Sequence, residues 1–131
     1  MSVWTHVVAS IRVDAFRIFD DSPNVDTLKS IIGNPCTIDD WNPDTTIPMG
    51  SEGSLEYTIY ENPNKSHLCA FVVTIFGDLR DYDNVDAIYD WLYSLCKKIE
   101  NNKMSIRNSA AQIECENGVI RTFDYITTFE D

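Results

Sequence analysis

Between Gly77 and Asp83 the chain reads Gly-Asp-Leu-Arg-Asp-Tyr-Asp, which places the carboxylates of Asp78, Asp81 and Asp83 beside the Arg80 guanidinium and the Tyr82 phenol. Carboxylates this close together are the raw material of a hard-cation site, but their spacing does not match an EF-hand loop. An arginine next to a helix start can instead hold an anion. The commoner use of such a cluster is helix capping plus a local arginine–carboxylate pair on the surface. A second polar stretch, from Asn34 to Gly53, carries Trp41 at its middle and Gly50-Ser-Glu-Gly at its end. Irregular connections of that length are uncommon and are often functional. Neither its glycine pattern nor its lack of a following lysine fits a phosphate loop. Taken together, Trp41, Gly50, Glu52, Asp78, Arg80, Asp81 and Tyr82 are the candidate surface for a partner or ligand. Whether the two stretches meet in space decides whether that surface exists.

The remaining reactive side chains do not assemble into a signature. His6 and His67 are the two histidines, and neither has an acid partner or nucleophile at a telling spacing. Cys36, Cys69, Cys96 and Cys115 form no CxxC and complete no zinc pattern. Cys69 and Cys96 fall on surfaces expected to be buried, so they read as small core residues. No catalytic, cofactor-binding or metal-binding residue is assigned, and the expectation is a protein that is not an enzyme.

Charge sets the class of partner. Ten Lys and Arg stand against 21 Asp and Glu, a formal net charge of −11. That field repels nucleic acid and anionic membranes and attracts basic proteins. An apolar fraction of 44% over 131 residues belongs to a packed globule, and the length suits one domain spanning 1–131. No hydrophobic leader or membrane-length apolar run is visible, so the expected compartment is the cytoplasm.

The elements that must position these residues follow from periodicity. Val3 to Val13 alternates, with Val3, Thr5, Val7, Ala9, Ile11 and Val13 on one face and Trp4, His6, Val8, Ser10 and Arg12 on the other. Asp14 to Asp20, carrying Phe16, Ile18 and Phe19, is expected to extend the strand or pack as a loop. Ser22-Pro23 opens a short helix, with Ser22 as cap, Val25, Leu28, Ile31 and Ile32 inward, and Gly33 closing it. Leu55 to Glu61 and His67 to Phe76 form a hairpin through Asn62-Pro-Asn-Lys65. The second of these strands is apolar on both faces, as a central strand would be. Asp83 is expected to cap a helix whose stripe is Val85, Ile88, Leu92, Leu95, Cys96 and Ile99, ending near Asn101-Asn102. Met104 to Cys115 is a strand diluted by Asn108 and Ser109, where a bulge is expected, and Asn117-Gly118 turns it into Val119 to Phe129.

That order predicts an α+β fold, the ferredoxin-like βαββαβ plan with an additional C-terminal antiparallel strand and two helices on one face of the sheet. The other face would need cover, which a homodimer or a partner could supply. The opening Met1-Ser-Val-Trp-Thr-His-Val with Ile11-Arg-Val-Asp14, the segment Ile47-Pro-Met-Gly-Ser-Glu-Gly-Ser-Leu55, the turn Glu61-Asn-Pro-Asn-Lys-Ser66 and Phe76-Gly-Asp-Leu-Arg-Asp-Tyr-Asp83 resemble a group of small uncharacterised phage and prophage proteins. The resemblance implies a viral accessory protein in a bacterial cytoplasm and carries no activity. Small acidic proteins of that kind are often inhibitors of host defence, anti-CRISPR proteins among them. The leading expectation is therefore an inhibitor that contacts a host defence protein of the nucleic-acid-binding kind. The alternative is an oligomeric sponge that sequesters a nucleotide second messenger, held by Arg80, Trp41, Tyr82 and the Gly50–Gly53 backbone.

Overall fold

The computed structural model describes residues 2–33 and 47–128. Five strands and two helices lie within them: β1 (Trp4–Asp14), α1 (Val25–Ile32), β2 (Glu56–Glu61), β3 (Cys69–Arg80), α2 (Val85–Glu100), β4 (Ser105–Cys115) and β5 (Ile120–Asp124). The strands make one antiparallel sheet in the order β2-β3-β1-β4-β5. Trp41 and Cys36 lie outside the described residues, as does most of the long polar stretch.

Alternation in β1 sets the layers. Thr5, Val7, Ala9, Ile11 and Val13 are buried, and their register partners Leu79, Ile75, Val73 and Phe71 on β3 and Cys115, Ile113 and Ala111 on β4 are buried with them. Both helices contribute to this one core. All six predicted stripe residues of α2, Val85 to Ile99, are inside, and α1 adds Leu28 and Ile32. The opposite face, with Val8, Phe76, Tyr60 and Ile120, is exposed.

Two bulges adjust the register around β1. Ala70 is the extra residue between Val13 and Asp14, and Arg107 lies between the partners of Arg12 and Val13, beside the predicted bend at Asn108. The Asn117-Gly118 hairpin forms as expected, with the Asn117 side chain accepting from Val119 N. Beyond β5 the chain is tied back by side chains: Tyr125 Oη and Thr127 Oγ1 donate to the two oxygens of Glu100.

Four local expectations are corrected. The cap of α1 is Asn24, not Ser22; Asn24 and Thr27 bond reciprocally as a capping box, and Ser22 instead accepts from Phe19 N. The cap of α2 is Asn84, whose side chain accepts from Ala87 N, not Asp83. Strand β3 does not stop at Phe76; it runs to Arg80, because Gly77, Asp78, Leu79 and Arg80 pair with Val7, His6, Thr5 and Trp4. Finally, Phe16, Ile18 and Phe19 neither extend β1 nor pack: each is about two-thirds exposed, while Arg17 between them is buried.

Candidate functional site

One corner of the exposed sheet face gathers most of the candidate residues. Because β3 continues to Arg80, the odd–even alternation of the strand sends Leu79 into the core and Asp78 and Arg80 onto the open face. The segment Ile47–Gly53 reaches the same place. Gly50 N donates to Gly53 O, closing a tight turn. That turn docks on the end of β3 through its backbone: Arg80 N donates to Glu52 O at 3.0 Å and Ser51 N donates to Arg80 O at 2.9 Å. Both glycines are needed for the approach. A Cβ at Gly50 would overlap the Arg80 backbone, and one at Gly53 would overlap the Asp78 carbonyl. The described end of the long polar stretch therefore does meet the Asp78–Asp81 segment.

The side chains there are mutually engaged. Arg80 donates from Nη1 to Glu52 Oε2 at 3.1 Å and from Nε to Ser2 Oγ at 3.0 Å. Ser51 Oγ donates to Asp81 Oδ2 at 2.6 Å, and Asp81 itself takes a left-handed conformation at φ 56° to leave the strand. Tyr82 is not part of this surface. Its ring is half-buried, which raises its hydroxyl pKa, and its carbonyl is the peg that accepts from Thr5 Oγ1. So Gly50, Glu52, Asp78, Arg80 and Asp81 converge, and Tyr82 turns inward.

Two residues outside the expected partner surface, His6 and Glu116, complete the corner. His6 lies on β1 opposite Asp78 of β3, with Glu114 as its partner on β4. Its Nδ1 is 2.6 Å from Asp78 Oδ1 and its Nε2 is 3.1 Å from Glu116 Oε2, so one imidazole on β1 ties β3 to the turn that follows β4. The alternation of Val3 to Val13 already put His6 on this face; only the cross-strand register could name its partners. A neutral ring has one bare nitrogen, which would then face a carboxylate. The hydrogen bonds to Asp78 and then to Glu116 accordingly hold the His6 pKa above its ordinary 6.5.

The ring also separates the two carboxylates, so they cannot converge on one cation, and no metal-binding group of side chains occurs among the described residues. Cys96 offers no nucleophile: burial, with Glu100 nearby, pushes its thiol up to about 12. What the corner does possess is charge: Glu52, Asp78, Asp81, Glu114 and Glu116 against Arg80 and His6.

A stability measurement reads the bridge directly. With the folded pKa raised, the stabilisation is fully present below pH 6.5 and fades as pH rises through the folded value. His6 is 42% exposed, so the effect is small, at most about 0.5 kcal/mol. The wild type minus His6→Gln difference in unfolding free energy is expected to be larger at pH 5.5 than at pH 8.5. A difference independent of pH would show that the bridge does not form in solution. No protein-family model, curated protein or solved structure matches the chain.

Proposed function

We propose that this chain is a binding protein that inhibits a host anti-phage defence factor by protein–protein contact, in the manner of an anti-CRISPR inhibitor, in the bacterial cytoplasm. The observation that carries the reading is the carboxylate-rich corner of the open sheet face in a chain of net charge −11. An antiparallel sheet that leaves one face exposed offers a broad, rigid platform, and five carboxylates at one corner of it suit a Lys- and Arg-rich surface of the kind that holds nucleic acid. The resemblance to small phage and prophage proteins supplies the cellular setting. We also read the first six elements as a ferredoxin-like unit with β5 added at the β4 edge; the order β2-β3-β1-β4 with every pair antiparallel supports this. The nucleotide-sponge alternative is less well supported, since the Arg80 guanidinium is already engaged by Ser2 and Glu52.

The test is capture from host lysate by the immobilised chain, compared with a Glu114→Lys/Glu116→Lys variant. The wild type is expected to retain a basic protein at ~0.1 M salt and release it toward ~1 M, where the Debye length has fallen from ~10 to ~3 Å. The variant is expected to retain at least tenfold less. Recovery of no basic protein, or equal recovery by the variant, would overturn the reading.

A further inference from the structure

At the opposite end of the sheet from His6, β1 runs out into a segment whose polarity is inverted. Phe16, Ile18 and Phe19 are 67%, 65% and 64% exposed, and Leu68 beside Phe16 is 44% exposed. Arg17, by contrast, is 7% exposed. Its guanidinium donates to the carbonyls of Asn62 at 2.7 Å and Asn64 at 2.9 Å and lies over the Phe71 ring. That anchor fixes the segment from inside, so its apolar side chains are held outward. Scattered exposed apolar residues need no account, but three large ones on one anchored segment, with Leu68 beside Phe16, do on an acidic protein.

The same patch contains a hole. A cavity of about 420 Å³ opens beside Phe16, floored by Ala15 and Met104, walled by Leu68, with Lys103 at its rim. Asp14, also at the rim, is already bonded by Arg107. No hydrogen bond or ion pair engages the Lys103 ammonium among the described residues. Asp20 and Asp21 follow directly on Phe19 and are exposed. Knob, hole and cation thus line one opening, with the two anions four and five residues along the chain from Phe16, and a surface that carries both members of a complementary pair can meet its own twofold mate.

We propose that this surface is the interface of a homodimer, in which Phe16 of each copy enters the cavity of the other and Asp20 and Asp21 face the second copy's Lys103. The exposed parts of the four apolar side chains amount to on the order of 400 Å² per copy, about 800 Å² for the pair. The polar rim brings this toward the ~1,200 Å² at which specific interfaces begin. His6 and Asp14 are eight strand residues apart, about 26 Å, so the dimer leaves the acidic corner free. The proposal therefore does not rest on the function proposed above. Two copies of charge −11 repel at long range, so added salt relieves the repulsion and should strengthen the dimer, whereas it weakens capture of a basic protein.

Sedimentation velocity on the purified chain tests this. A monomer–dimer equilibrium in the micromolar range is expected. Phe16→Glu should raise its dissociation constant at least tenfold while leaving the circular dichroism spectrum unchanged, since Phe16 is exposed. Asp20→Lys/Asp21→Lys should weaken the dimer, and adding Lys103→Glu should restore it. A chain that is monomeric at ~200 μM, a dimer indifferent to Phe16→Glu, or a charge swap without rescue would each overturn the proposal.

Discussion

Replacing Arg17 with alanine is expected to lower the free energy of unfolding by about 3 kcal/mol. Among the described residues Arg17 is the exception to the rule that charges stay outside, with a side chain only 2% exposed. Its Nη atoms hold the turn between β2 and β3: Nη1 donates to Asn62 O, with Glu61 Oε2 at 3.3 Å, and Nη2 donates to Asn64 O, with a longer contact to His67 O. Alanine removes a planar fork that satisfies several acceptors at once, removes the stacking on Phe71, and leaves a cavity. One term opposes this. Arg17 Nε is buried without a hydrogen-bond partner, and its loss returns part of a desolvation cost. Lysine would keep the charge but not the fork, so Arg17→Lys is expected to lose about 2 kcal/mol. Glu61→Gln should matter little, since Glu61 is a third exposed and also meets Lys65. Urea denaturation is the measurement. At a slope near ~2 kcal/mol/M the alanine variant should unfold about 1.5 M earlier. A loss under ~1 kcal/mol would mean the guanidinium is hydrated and the turn holds itself.

Arg17 also marks the boundary of what the chain discloses by pattern alone. The β1 alternation and the α2 stripe are local, periodic and strongly apolar, and every stripe residue read from spacing is buried. The caps were displaced by one or two residues because both loops offer several capping side chains in a row. In each case an asparagine, Asn24 or Asn84, supplied the acceptor. By composition Gly77 reads as a strand end, because glycine usually interrupts strands. Here it lies in β3 where the Leu55 backbone passes closely, a non-local fact. The inversion at Phe16 to Phe19 is of the same kind. Asp14, Asp20 and Asp21 are the partners that sequence proximity offers Arg17, yet its acceptors lie some 45 residues on, at Asn62 and Asn64. The site behaves likewise: Asp78 and Arg80 stand out by composition, whereas the His6 bridge depends on the β1–β3 register and on the turn after β4.

The turn that brings Gly50 and Glu52 to that site should be the second most sensitive feature, and three glycines allow its two causes to be separated. Gly118 has φ +102° with no atom within 4 Å of where a Cβ would go, so Gly118→Ala isolates the backbone cost, about 1 kcal/mol. Gly50 has no positive φ, but its Cβ would collide with the Arg80 backbone, so Gly50→Ala isolates the loss of close approach, about 2 kcal/mol. Gly53 combines φ +80° with a collision at the Asp78 carbonyl, and Gly53→Ala should cost about the sum, ~3 kcal/mol. Neither collision is with a flexible side chain, so relief requires the turn to lift from β3 and give up the bonds of Glu52 O and Ser51 N to Arg80. Amide hydrogen exchange at Ser51 and Arg80 should then accelerate in the Gly50 and Gly53 variants and stay unchanged in the Gly118 variant. If Gly53→Ala costs no more than Gly118→Ala, the turn is not docked in solution. Glu52 would then lie too far from Arg80 to pair with it, and the guanidinium would be free to meet an anion.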